Sequence, residues 1–284
     1  IDYHESEEAT VLTRLFAEAE PGGPLASGTD QEILANLLEA LDVPIESQVL
    51  VFSKTSAQNS RISPRTPRAI YFSDNVYVGW CLGGEIEVAS FDENLGMVFH
   101  LVELTSREEN QAPELVRDRS CLNCHAGSSN RNLPGLMIRS VYPGETGQPL
   151  FQAGTFHTSH DSPISERWGG WYVTGSVDEE THLGNSFARG DRTSHEVTIH
   201  AISEGALETL DEVFRAEPYL YRGKSDVVAL MLLEHQVGVH NALIEANLTT
   251  RTTLHRHIEM QRAFGESLEA PLSDTNRRIL ANVA

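Results

Sequence analysis

Cys121-Leu122-Asn123-Cys124-His125 is the one place in this 284-residue chain where two thiols and an imidazole fall within five residues. C-x-x-C-H is the attachment sequence of c-type haem. The two thiols add across the porphyrin vinyl groups as thioethers, and the adjacent His is held beneath the iron as its proximal ligand. With three Cys and twelve His in the chain, chance places this pattern in about one sequence in a thousand of the same composition. Three other chemistries use the same residues. Structural zinc needs four ligands, and here only Cys81 and a distant His could complete the set. A thiol redox motif belongs at the strand-to-helix turn of a βαβ unit, and no such pattern surrounds Cys121. Unmodified thiols would be a liability in a loop built of Ser120, Asn123, Gly127, Ser128, Ser129 and Asn130. The expectation is one covalent haem c, anchored by Cys121 and Cys124, with its iron bound by His125. Cys81, between Trp80 and Leu82 in an apparent strand, reads as a small buried hydrophobe.

What a haem does depends on the group opposite His125. A strong His or Met ligand gives an electron carrier, whereas an open site permits binding and chemistry. His157-Thr158-Ser159-His160-Asp161 puts two imidazoles in a polar loop, where Asp161 can orient one through its second nitrogen. His160 is the first candidate for the second metal ligand; His157, His182, His235, His240, a Met (97, 137, 231 or 260) or an open site are the alternatives. His4, His255 and His257 lie in polar contexts that suggest solvent. In the apolar helix after Ser225, His235 shares a face with Met231, Gly238 and Ala242, while Gln236 and His240 project roughly opposite. A core His hydrogen-bonded to a carbonyl is the plainer reading of both, and Asn241 suits such a network. Gly238 marks a close approach, by a porphyrin plane or another backbone.

Haem propionates are anionic and call for Arg, Trp, Tyr or backbone donors. Arg61, Arg65 and Arg68, interleaved with Pro64 and Pro67, form one basic segment; Arg117, Arg119, Arg131 and Arg139 bracket the Cys-His motif. Arg65 and Arg68 are the expected haem-binding arginines, the alternative being solvated surface pairs worth little energy. Trp168 and Trp171 carry flat apolar faces suited to walling a macrocycle, or simply core aromatics. The two glycines between them mark a backbone that approaches something closely.

The elements that must position these groups read as α+β in a single domain over 1–284. Residues 1–104 hold helices and a β-meander, 105–200 the haem-loop region, and 201–284 helices. Val11, Leu12, Leu15 and Phe16 give a first helix within Ser6 to Glu20, stopped by Pro21-Gly22-Gly23-Pro24. Thr29 or Asp30 caps a second through Ile33, Leu34, Leu37, Leu38 and Leu41, ending before Pro44. Short β-branched or aromatic runs follow at 49–52, 69–72, 76–82, 85–91 and 97–104, with Asp74-Asn75, Gly83-Gly84 and Asp92-Glu93-Asn94 suited to tight hairpins. Thr105 to Pro134 lacks periodicity, and a short strand is expected over Leu136 to Val141. Helices are expected over Ala206 to Arg215, Ser225 to about Thr250 (buried all round) and Asp274 to Val283, with a patch at Ile258 to Phe264.

Acidic residues outnumber basic ones 41 to 21, a formal charge of −20. With no Lys/Arg-rich run, no nucleic-acid partner is expected. No membrane span is expected either, because the richest apolar stretch, Val227 to Leu233, soon meets Glu234 and His235. The chain begins at Ile1 with no export segment, so the expectation is that an address sequence preceded it.

Three blocks together resemble an uncharacterised family of bacterial exported cytochrome c domain proteins. They are Arg61-Ile62-Ser63-Pro64-Arg65-Thr66-Pro67-Arg68 running into Tyr77-Val78-Gly79-Trp80, then Cys121 to His125, then Arg167-Trp168-Gly169-Gly170-Trp171-Tyr172-Val173-Thr174-Gly175. The resemblance spans about Gln48 to Asn241 and includes Ser225 to Met231, Glu234-His235-Gln236 and His240-Asn241. It implies covalent haem and an extracytoplasmic site, and carries no reaction. The resulting expectation is a periplasmic monohaem c-type cytochrome acting in electron transfer, with a redox protein or a small-molecule substrate as partner. A haem-dependent oxidoreductase, peroxidase-like or acting on a small molecule, and a haem-based ligand sensor are the alternatives.

Overall fold

A computed structural model describes residues 3, 5–107, 111–177, 181–190, 197–203, 205–268 and 270–283; His4 lies outside them. The fold is α+β. Helices α1 (Val11–Ala17) and α2 (Asp30–Ala40) come first, α2 closed by a capping box in which Thr29 and Glu32 satisfy each other's backbone N–H groups. Strands β1 (Val49–Val51), β2 (Arg68–Ser73), β3 (Val76–Trp80), β4 (Ile86–Asp92), β5 (Gly96–Glu103) and β6 (Glu114–Arg117) follow. They form an antiparallel meander in the expected order, and the expected hairpin turns sit between them. After the short helix α3 (Leu122–His125) come β7 (Arg139–Val141), β8 (Thr155–His157) and β9 (Trp171–Tyr172), and β9 closes the far edge of the sheet by pairing with β1. A separate hairpin of β10 (Ser186–Gly190) and β11 (Val197–Ala201) precedes α4 (Val227–Phe264) and α5 (Asp274–Ala281).

The sheet is covered on both faces, which is why β3 is buried at every position instead of alternating. Leu50, Tyr71, Val78, Trp80, Ile86 and Val102 point to one side, against α1, α2 and the 207–220 segment. On the other side Val51, Phe72, Tyr77, Ala89, Met97 and Phe99 meet α4, Trp168, Trp171 and the segment from Cys121 to Ile138.

Four expectations are corrected. Residues 206–215 are not helical: Leu207 bridges to Gly175 and the Leu210 N–H donates to Gly223 O, so their backbone groups serve other segments. The stretch taken as aperiodic from Thr105 to Pro134 contains β6 and α3. The 225–250 helix and the patch at 258–264 are one helix of 38 residues, about 57 Å long. That helix is buried on one side only, since Val228, Met231, Leu232, Val239 and Leu243 are exposed. By length and composition α4 meets the requirement for a membrane span, with a mean hydropathy of 1.4 over 18 residues, of which 44 % is buried inside the protein.

On its buried side α4 carries Glu234, whose carboxylate accepts from the Arg167 guanidinium at 2.9 Å with both side chains nearly solvent-free. Arg167 also donates to the carbonyls of His160 and Ser162, so its charge is fully engaged. Burial pushes the Glu234 carboxyl up, while Arg167 pulls it down. Removing one partner leaves the other as a buried, uncompensated charge. Arg167→Ala and Glu234→Ala are therefore each expected to destabilise the protein by ~3–5 kcal/mol. The Arg167→Met/Glu234→Leu pair should lose much less than the two single changes summed, read from urea midpoints.

Candidate functional site

Cys121 caps α3 and Cys124 lies three residues on, so the two thiols share one side of a single helical turn. Both are free thiols. Asp118 begins the turn by accepting the Ser120 N–H, and its own N–H donates to Phe99 O, which sets the turn on β5. His125 follows at the C-terminal end of α3. Its Nδ1 is 3.1 Å from Gly135 O, and the Phe99 ring packs against it with centroids 4.5 Å apart. Nδ1 is thus the protonated nitrogen and Nε2 carries the lone pair, with no hydrogen bond to any described residue. Burial holds the imidazole at about 4, well below its ordinary value, against the raising effect of the Gly135 carbonyl. Burial, reinforced by Asp118, pushes the Cys121 thiol up to about 12.

The return from His125 to β7 is tied down by two amides. Asn130 donates to His125 O at 2.9 Å and to Leu136 O at 3.1 Å. Asn241 on α4 accepts the Leu136 N–H at 2.8 Å and donates to Leu136 O at 2.9 Å. Gly135 permits this approach, since a Cβ there would lie 2.5 Å from Asn241 Oδ1. A cavity of about 220 Å³ between the 129–135 loop and α4 is lined in part by Gly135, Gly238 and Asn241.

Of the expected haem-binding arginines, Arg68 reaches the site. It lies flat over Gly79, where a Cβ would sit 2.3 Å from Nη2, and pairs with Glu87. Both charges act on Cys121 and His125. Arg65 is exposed in the Ser63–Thr66 turn, and no side-chain contact ties it to the motif. Arg117 holds the N-terminal segment through the carbonyls of Tyr3 and Ser6, and Arg131 pairs with Glu245.

Trp168 and Trp171 belong to the same apolar cluster as Cys121 and Leu122. Their glycines make close approaches to protein: a Cβ on Gly169 would meet Val141 O at 2.1 Å, and one on Gly170 would meet Ser53 Cβ at 2.5 Å. Sequence reasoning missed that this segment is an edge strand, with Trp171 Nε1 donating to Arg139 O.

Several of the candidate ligands opposite His125 make contacts of their own. His160 stacks edge-on with His235 at 4.9 Å and covers Gly238, so that glycine accommodates an imidazole. His240 is a core group, with Nδ1 2.8 Å from Tyr77 Oη and its ring between Tyr77 and Phe91. Burial holds its pKa below the ordinary value. His182 packs on Trp168, and His157 faces Arg139 across β7 and β8. Among the described residues no three His, Cys, Asp or Glu side chains are grouped to hold a metal ion. Neither a family model nor a curated protein nor a solved structure matches the chain.

The unmodified polypeptide has a defined pH response. His125 and His240 are held neutral in the fold, so below about pH 6.5 the unfolded chain binds protons that the folded chain refuses. Stability should therefore fall as the pH drops from about 6.5 towards 4, and His240→Gln should flatten that slope in urea titrations at each pH. Asn241→Ala should cost about 1–3 kcal/mol and expose 128–134 to proteolysis, mapped by mass spectrometry.

Proposed function

We propose that the chain is a periplasmic monohaem c-type cytochrome acting in electron transfer, with haem joined to Cys121 and Cys124 and iron held by His125. One observation supports this above the others: the Nδ1 contact with Gly135 O leaves the Nε2 lone pair of a neutral imidazole without a hydrogen-bond partner among the described residues, on the same short helix as the two thiols. A metal-binding His is normally fixed in this way, by a hydrogen bond from its other nitrogen. When bound, the haem supplies one-electron redox chemistry.

The chain's own residues have separable tasks here. Cys121 and Cys124 anchor, His125 binds, and Gly135 and Phe99 fix the imidazole's tautomer and tilt. Asn130 and Asn241 hold the return loop. Arg68, already balanced by Glu87, places a neutral charge pair beside the site and not a spare cation for a propionate. The resemblance to exported cytochrome c domain proteins agrees with this reading and with a periplasmic location, where covalent haem is assembled. The acidic surface suits a redox partner with a basic docking face.

A second reading, a haem-dependent oxidoreductase or ligand sensor with an open sixth position, is favoured by the engagement of His160 with Gly238 and of His240 with Tyr77. Carbon monoxide added to reduced protein separates the two. A low-spin spectrum that does not change supports the carrier, and a shifted Soret band supports the second reading. Cys121→Ser/Cys124→Ser should abolish haem that survives acid–acetone extraction. His160→Ala should leave the spectrum unchanged if that ring is only a packing group.

A further inference from the structure

At the β2–β3 turn the layers on the two faces of the sheet part, and a half-open groove of about 1190 Å³ lies between the end of α2, that turn and the first turns of α4. Its floor is apolar. Leu38, Val43, Phe72 and Val76 reach it from the core, and Val228 and Leu232 stand more than half exposed on the α4 wall.

Its rim is acidic. Glu39, Asp42, Glu46, Asp74 and Asp226 line the groove, and none of them forms an ion pair with another described residue. The two cations in the same walls are engaged by backbone, Arg14 donating to Ala9 O and Lys224 to Glu208 O. Three of the carboxylates sit where the backbone fixes them. Asp42 follows α2 in the left-handed region at φ +52°, Asp74 lies in the tight turn between β2 and β3, and Asp226 caps α4 by accepting the Val228 N–H. Like charges gathered without a counter-charge weaken a fold, and a cation entering the groove relieves them.

The geometry points to a docking site for a basic segment of a partner protein, its Lys or Arg side chains meeting the rim and an apolar side chain seated on Val228 and Leu232. The carboxylates come from separate elements around a space larger than the pockets of about 300–1,000 Å³ that hold small ligands, which favours a length of chain over a small cation. A second copy of this chain has no Lys/Arg-rich run to offer, and five carboxylates repel an anionic lipid surface. None of the lining residues belongs to the site at Cys121 and His125, so the inference stands with or without haem.

The test is isothermal titration calorimetry of the purified full chain with a short acetylated peptide of alternating Lys and Leu, haem content being read from absorbance in the same samples. One peptide per chain is expected, with a Kd of about 1–100 µM that weakens steeply as salt rises from about 0.05 to 0.5 M. Asp42→Asn/Asp74→Asn should weaken binding at least ~10-fold. Asparagine suits both a left-handed residue and a turn, so circular dichroism should be unchanged. Glu20→Gln/Glu212→Gln, the same change of charge at exposed positions outside the groove, should leave binding as it was. Leu232→Ser, and separately a peptide with Ser in place of Leu, should each cost at least ~10-fold in affinity. No binding up to about 1 mM, equal binding of the Ser-substituted peptide, indifference to Asp42→Asn/Asp74→Asn, or a dimer or vesicle-bound form that shuts the peptide out would overturn the inference. A chain purified without haem that still binds the peptide would contradict the proposed function and leave this inference standing.

Discussion

Asn241 presents both ends of its amide to one residue, accepting from the Leu136 N–H and donating to the Leu136 carbonyl. That two-point contact joins the long helix to the segment carrying the thiols and the imidazole, and the site's geometry depends on it. Gly135, immediately before Leu136, supplies the carbonyl that fixes His125. A shift of the 133–136 backbone would therefore release the imidazole's tautomer as well as the loop. The helix can serve as an anchor because its other polar residues are satisfied against the sheet: Gln236 donates to Ser73 O and Tyr77 Oη, and His240 meets the same Tyr77 hydroxyl.

The second constraint is electrostatic. The chain carries an excess of twenty negative charges, yet the charges that act on both Cys121 and His125 are the Arg68–Glu87 pair, in which Arg68 lies over a glycine. Their effects on His125 oppose each other, so burial dominates and the imidazole is neutral at physiological pH. A neutral imidazole is the form that coordinates metal.

The parts of the fold that could be read from sequence are those whose cause is local. The capping residue Thr29, the hairpin pairs Asp74-Asn75 and Gly83-Gly84, and the β-branched runs between them specify α2 and the meander through short-range chemistry. The errors lie where distant segments decide. Leu207 and Leu210 have helical spacing, but Gly175 and Gly223 take their backbone hydrogen bonds. The strand at Trp171 went unread because two residues leave no period to read. The face of α4 opposite the sheet is as apolar as the packed face, so composition could not show that only one of them is covered. At the site, the spacing of Cys121, Cys124 and His125 was legible, whereas the roles of Gly135, Asn130 and Asn241 required knowing which backbone lies against which helix. Gly238 was correctly read as a close approach, and only the structure shows that the approaching group is His160.

The central claim is that a porphyrin is joined to the chain through Cys121 and Cys124. The intact mass of the protein purified from the periplasm of a host that makes c-type cytochromes tests it most directly. The account predicts an added mass of about 616 Da that survives denaturation and travels with the tryptic peptide containing both cysteines. An unmodified chain mass, with both thiols open to alkylation, would contradict it.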